Sequence, residues 1–103
     1  MRFLVNVKAP VERLNKSIQD GSFPTKMQEI LSELKPEAAY FLEEDGRRTA
    51  ILIVDIAEVS QMTRVGEPFF LGMNAEVHFH PVMTPQDLAN ANLTELGKRW
   101  GGG

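Results

Sequence analysis

The chain has 103 residues, 43% of them hydrophobic and 24% charged, and a formal net charge of −3. These values predict one soluble globular domain with a modest core and no room for a second domain. Its interleaved charges leave no basic stripe for nucleic acid, and the lack of cysteine excludes disulfides and thiol chemistry.

The N-terminal segment Met1 to Lys8 alternates apolar and polar residues and lacks the continuous apolar core of a signal peptide. The longest uninterrupted apolar run, Ala50 to Val54, is far shorter than the roughly 20 residues that cross a bilayer. We therefore expect a cytoplasmic protein without a membrane segment.

The first predicted strand has a period-2 pattern that points Phe3, Val5 and Val7 to one face. Apolar residues then recur at helical spacing in two stretches, which are separated by a break at Gly21. We predict one interrupted helical segment between the first and second strands.

Two further strands, Ala38 to Glu43 and Thr49 to Ile56, flank a tight hairpin, because Asp45-Gly46 supplies the positive φ angles of such a turn. The charged tip of this hairpin is interpreted as a solvated turn with charge pairing across its two strands. The strand after the turn, Thr49 to Ile56, is apolar throughout Ala50 to Val54, so both of its faces should be covered.

Ser60 is predicted to cap a short helix, which Gly66 and Pro68 interrupt within two turns. The segment Ala75 to His80 alternates again and predicts a fourth strand at a sheet edge. Thr84 is the predicted N-cap of a short C-terminal helix.

This order of elements predicts a ferredoxin-like βαββαβ domain, an α+β fold with a four-stranded antiparallel sheet and helices on one face. We assign residues 1–100 to this domain and expect 101–103 to be a flexible glycine tail, while Trp100 either docks on the body or stays exposed. The sheet's second face is then open. Burying its apolar residues against another copy predicts a homodimer that pairs through this face, as a dimeric α/β barrel does.

Several stretches resemble one family: Ala50 to Ile56, Pro68 to Val77, His80-Pro81, Met1 to Val5 and Lys8 to Pro10. Over them the chain is similar to the muconolactone isomerases of the dimeric α/β-barrel superfamily. The resemblance implies ferredoxin-like subunits that pair through their sheets and bind a small aromatic or lactone-like molecule. It selects no reaction, because that superfamily contains isomerases, cofactor-independent monooxygenases, haem-degrading enzymes and stress-induced binders.

The best chemical candidate is Glu76-x-His78-x-His80, because alternation along a strand points all three side chains to the open face. Two imidazoles and a carboxylate suit acid–base catalysis near neutral pH or a divalent metal. The simpler interpretation is a polar edge strand that meets water or the partner. We nominate His78 and His80 as catalytic and Glu76 as substrate-binding, and assign no metal ligand.

Asn6 and Tyr40 share the open face if Phe41 faces the helices. We nominate Tyr40 as a third catalytic residue and Asn6 as substrate-binding, because a tyrosine and a histidine in an apolar cavity could move a proton on a small ligand. The alternative is that Tyr40 packs in the dimer seam with its hydroxyl hydrogen-bonded there.

Two functional hypotheses follow. The first is a small-molecule protein, isomerase-like or oxygenase-like, with a pocket between sheet and helices touched by Asn6, Tyr40, His78 and His80. The second is a non-catalytic ligand-binding or interaction domain in which the dimer interface covers the same residues. The sequence has no glycine-rich phosphate loop, Gly-x-Ser-x-Gly or His-Glu-x-x-His motif, and we predict no cofactor.

Overall fold

The computed structural model describes residues 1–102, so Gly103 of the predicted tail lies outside the described residues. The elements in chain order are β1 (Arg2–Lys8), α1 (Val11–Gln19), α2 (Ser22–Leu34), β2 (Ala38–Glu44), β3 (Arg47–Asp55), α3 (Gln61–Met73), β4 (Glu76–Pro81), α4 (Pro85–Asn90) and α5 (Leu93–Trp100). Within residues 1–102, no helix combines the length and the apolar character that crossing a membrane requires.

The four strands form one antiparallel sheet in the order β2-β3-β1-β4. The two central strands are therefore the first and the third along the chain, as the ferredoxin-like arrangement requires. Helices α1, α2 and α3 supply the rest of the core and lie on one face of the sheet. These observations confirm the predicted α+β ferredoxin-like fold.

The core is built from alternate residues of the two central strands. On β1, Val5 is fully buried, and the register places it beside Leu52 of β3, which is also fully buried. Side chains of successive residues point to opposite faces, so every second residue of these strands meets the helices and the others remain on the open face. The period-2 prediction for β1 is confirmed.

The hairpin between β2 and β3 has the predicted two-residue turn. Asp45 and Gly46 both have positive φ angles, 56° and 76°. A turn with two left-handed residues matches the right-handed twist of the strands that it joins. Gly21 also has a positive φ, 80°, and it separates α1 from α2, which confirms the interrupted helical segment.

Helix α3 contradicts the prediction of a brief, interrupted helix, because it runs without a break for 13 residues. Three residues at four-residue spacing are buried on its inner face: Val65, Phe69 and Met73. The burial of this face outweighs the backbone hydrogen bond that Pro68 removes. A Cβ at Gly66 would lie 3.1 Å from the Phe70 ring and 3.4 Å from the Phe79 ring, so a larger residue there would require the Phe70 ring to shift.

The two predicted N-caps have different outcomes. The Thr84 hydroxyl accepts from the backbone N–H of Asp87, and the Asp87 carboxylate accepts from that of Thr84, which confirms Thr84 as the cap of α4. Ser60 occupies the cap position of α3, but its side chain makes no cap hydrogen bond. The Gln61 side chain accepts instead from the N–H groups of the two residues at 57 and 58.

The last two helices extend away from the rest of the molecule. The chain measures 60 × 28 × 19 Å and has a radius of gyration of 17.5 Å, whereas a compact domain of this length has a radius of about 13 Å. Every residue from 85 to 102 is exposed. Trp100 therefore makes no docking contact with its own domain, and its ring lies under the Arg99 guanidinium instead.

Candidate functional site

The open face of the sheet is the face opposite the helices, and it carries the predicted site residues. The strand register aligns four side chains in one row across it, in the order Tyr40, Ile51, Asn6 and His78. Asn6 and His78 are direct neighbours. Tyr40 and His78 lie on opposite edge strands, about 14 Å apart at the spacing of adjacent strands, so the sheet itself does not bring them together.

The Glu76-x-His78-x-His80 pattern lies along β4 on the open face, as predicted. All three residues are exposed. The Glu76 carboxylate forms an ion pair with the Arg47 guanidinium, so it is turned toward the hairpin end of the sheet. Among residues 1–102, no group of three His, Asp or Glu side chains is placed to hold a metal ion.

The hairpin end of the open face is a cluster of paired charges. The Lys8 ammonium lies 2.7 Å from an Asp45 carboxylate oxygen and 3.1 Å from one of Glu44. The hydrogen bond from Lys8 and its positive charge lower the pKa of Asp45, while the two carboxylates raise the pKa of Lys8. Within residues 1–102, the ion pairs of the hairpin charges reach β1 and β4 and none joins β2 to β3, which corrects the prediction of charge pairing across the hairpin.

Asn6 lies at the inner border of this charged cluster. Its Nδ2 donates to the Glu44 carboxylate at 3.3 Å, which fixes the orientation of the amide. Its Oδ1 is buried and finds no hydrogen-bond donor in the described part of the chain. An unpaired buried acceptor costs about 1–3 kcal/mol, so a donor from outside the chain would stabilise this position.

The middle of the open face is apolar and only partly covered. Leu4, Ile51 and Ile53 are half-buried at its centre, and Tyr40 is 65% exposed at its edge. The far end carries another ion pair, in which Arg2 contacts Glu37 at 3.0 Å. Charges thus lie at both ends of the face, and each of those named is paired within its own chain.

A cavity of about 460 Å³ opens on the opposite side of the sheet, between helices α1 and α2 and the hairpin strands; we call it the crevice. Its walls are mainly apolar and include Leu14, Ile18, Phe23, Met27, Phe41 and Met73. The crevice exists because the helices do not extend over β2. Phe41 points toward the helix side, beside Ala50, yet it is 58% exposed.

Two charged residues line the crevice. Arg48 and Glu43 are cross-strand neighbours on the helix side of the sheet. The Arg48 guanidinium donates to Asn15 Oδ1 at 2.7 Å. Within residues 1–102 the Arg48 guanidinium has no ion-pair partner. The crevice therefore presents a positive charge, oriented by Asn15, beside apolar walls.

The crevice lies where the sequence hypothesis put a pocket, but it is lined by other residues. Asn6, Tyr40, His78 and His80 do not contribute to it, because the register points them to the open face. The sequence indicated only a solvated, charge-paired turn at the hairpin, so Arg48 was not predicted. The signal was present, because counting alternate residues back from Leu52 through Ala50 places Arg48 on the helix side.

Neither a scan against protein-family models nor a search of the curated proteins finds a match to this chain. The chemistry of the crevice and of the open face is therefore the basis for a functional proposal.

Proposed function

We propose that this chain is a small-molecule-binding protein of the dimeric α/β-barrel type, and that its ligand is a small aromatic or lactone-like molecule with an anionic group. The observation that carries the proposal is the crevice: an apolar cavity of about 460 Å³ with an arginine at its wall. Cavities of about 300–1,000 Å³ that combine apolar walls with a few polar groups are typical of ligand sites.

The residues of the crevice select the ligand class. The Phe23 and Phe41 rings favour a flat, apolar body, because aromatic pairs stack or meet edge to face. The Arg48 guanidinium favours a carboxylate, which it can bind through two parallel hydrogen bonds. Asn15 holds the guanidinium in place and reduces the side-chain entropy that ligand binding would cost.

The proposal assigns binding and no reaction. The nominated catalytic residues, Tyr40, His78 and His80, lie on the other face of the sheet from the crevice. Of the charged side chains that line the crevice, Glu43 is the carboxylate, and it accepts a hydrogen bond from the Gly46 N–H at 2.7 Å.

The test is titration calorimetry of the parent and two variants with a panel of small aromatic carboxylates and lactones. We expect Arg48→Met to weaken carboxylate binding at least tenfold, because it removes a charge-assisted hydrogen bond of about 1.5–3 kcal/mol. His78→Ala is the matched control on the open face and should bind like the parent. Loss of binding in His78→Ala with retention in Arg48→Met would place the ligand on the open face and overturn the proposal.

The second part of the proposal is pairing of two copies through their open faces. It is supported by the apolar centre formed by Leu4, Ile51 and Ile53, which has paired charges at its two ends. An apolar centre with a polar rim is the usual anatomy of a protein interface. Because each rim charge named has its partner within the chain, two identical faces can meet without strong repulsion.

Pairing also favours an alternative function, that of an interaction domain with no ligand. Sedimentation equilibrium between about 1 and 100 μM tests the pairing, and we expect about twice the 11.5 kDa mass of one chain. Ile51→Lys should shift the protein toward a single chain, because it puts a charge at the centre of the interface. A dimer that binds none of the panel would favour the interaction domain, and a single chain at every concentration would overturn the pairing.

A further inference from the structure

A second, smaller cavity of about 180 Å³ lies beside the crevice, between α1, α2 and the end of α3; we call it the cationic cavity. Arg13 of α1 and Lys26 of α2 line it. Within residues 1–102, no Asp or Glu contributes to its walls. Its chemistry therefore differs from that of the crevice, whose walls are mainly apolar.

The two cations of this cavity converge on one residue at the end of α3. The Arg13 guanidinium donates to the carbonyl oxygen of Gly72 at 3.3 Å. A Cβ at Gly72 would lie 3.2 Å from Cε of Lys26 and 3.5 Å from its Nζ, so the ammonium lies beside the same residue. Two positive charges are thus held near one point, where they repel each other.

The described part of the chain does not neutralise these two charges. Neither Arg13 nor Lys26 takes part in an ion pair among residues 1–102, and the Lys26 side chain makes no hydrogen bond there. Lys8 on the open face has the opposite arrangement, because it contacts the carboxylates of both Glu44 and Asp45. The cationic cavity therefore has the charge that an anionic group would complete.

The end of α3 accounts for only one of the two cations. A helix C-terminus carries about half a negative charge, and a cation that donates to its last carbonyl groups stabilises it. The bond from Arg13 to Gly72 meets that need. The second full positive charge exceeds it, so the cavity stays positive. The hydroxyl groups of Ser17 and Ser22 donate to backbone carbonyl groups of α1, which leaves the two cations as the side-chain donors for a ligand.

The cationic cavity and the crevice share an apolar layer. Four side chains line both cavities: Leu14, Phe23, Met27 and Met73. Two of them are methionines, whose unbranched side chains adapt readily to a ligand. Arg13 and Asn15 flank Leu14 along α1, and at about 3.6 residues per turn they point to opposite sides of it. Because Asn15 orients Arg48, positive charge lies on both sides of this layer.

We propose that the ligand of the crevice has a second anionic group, and that Arg13 and Lys26 bind this group in the cationic cavity. The inference rests on the proposed function and narrows its ligand class to molecules with an apolar body and an anionic group at each end. It explains why two sites without acidic partners lie on either side of one apolar layer, in a chain whose formal net charge is −3.

Matched pairs of compounds test the second anionic group. Each pair consists of a para-alkylbenzoate and the compound in which a carboxylate replaces the terminal methyl group of its chain, and the pairs cover graded chain lengths. At the chain length that spans the apolar layer, calorimetry should show about tenfold tighter binding of the dicarboxylate, since it adds charge-assisted hydrogen bonds. High salt should reduce this gain, because both cations are exposed.

Three methionine substitutions locate the gain. Lys26→Met should abolish the advantage of the dicarboxylate and leave binding of the monocarboxylate unchanged, and Arg13→Met should do the same. Lys16→Met is the matched control, because it removes the same charge from an exposed position of α1 that lines neither cavity, and it should keep the full gain. Arg48→Met should weaken both members of a pair equally.

The outcomes separate this inference from the proposed function. Monocarboxylates that bind through Arg48, with no gain from the second carboxylate at any chain length, would overturn the second subsite and retain the crevice. A gain that Lys16→Met removes as fully as Lys26→Met would also overturn it, because the effect would then be one of general surface charge. A gain that depends on Lys26 in a protein that Arg48→Met leaves unchanged would retain the cationic cavity and overturn the role of Arg48. A parent that binds neither member of any pair would overturn both proposals.

Discussion

The two faces of the sheet are built from the same four strands and differ in what completes them. On the helix side, Val5 and Leu52 are fully buried by elements of their own chain. The residues next to them on the same strands, Asn6 and Ile51, lie on the open face and remain partly exposed. A strand that is apolar at every position thus makes two surfaces, of which a single chain of this fold covers only one.

The largest expected effect contrasts two neighbouring residues of β3. Leu52→Ala should lower the free energy of unfolding by about 2–5 kcal/mol, because it leaves a cavity in the helix-side core. Ile51→Ala on the open face should cost less, and its cost should grow with protein concentration if a second copy covers that side chain. Denaturant unfolding at two protein concentrations measures the loss of free energy of unfolding in both variants. Equal losses that do not depend on concentration would contradict the difference between the two faces.

A smaller effect is expected at the hairpin that holds β2 in register. β2 is the strand that the helices cover least, so its position depends strongly on its turn. Gly46→Ala should cost about 1–2 kcal/mol, because Gly46 has a φ of 76° that an L side chain disfavours. Gly102→Ala is the control, since nothing lies within 4 Å of that position. Equal thermal stability of the two variants would show that the turn does not fix β2.

The smallest effect concerns the charged end of the open face. The pKa of Asp45 in the folded chain lies below its unfolded value because Lys8 donates to its carboxylate. The stability from this contact is therefore fully present above about pH 4 and is lost as the pH falls through the lowered pKa. Asp45→Asn keeps the turn chemistry and should make unfolding less sensitive to acid, with no difference in high salt. An unchanged acid profile would contradict this account.

Most of the fold was predictable because local rules and burial agree. The alternation in β1, the Asp45-Gly46 turn and the cap at Thr84 each follow from chemistry within a few residues of chain. The continuous α3 was not predictable from such rules. Pro68 favours a break locally, and only burial of the inner face against the sheet outweighs it.

The candidate site was less predictable than the fold. Alternation alone placed Tyr40, Asn6 and His78 correctly on the open face. The crevice depends instead on how far the helix layer extends over β2, and this is a property of packing that no short pattern contains. The same holds for the exposed C-terminal residues 85–102, since a capped helix has the same local sequence whether it folds back or extends.

The most direct test of the division between the two faces is a methyl NMR spectrum of the parent with a saturating small aromatic carboxylate. We predict that the resonances of Leu14, Ile18 and Met27 in the crevice shift. Those of Leu4, Ile51 and Ile53 on the open face should stay unchanged and broaden only with protein concentration. Ligand-induced shifts confined to the open-face methyl groups would contradict the account.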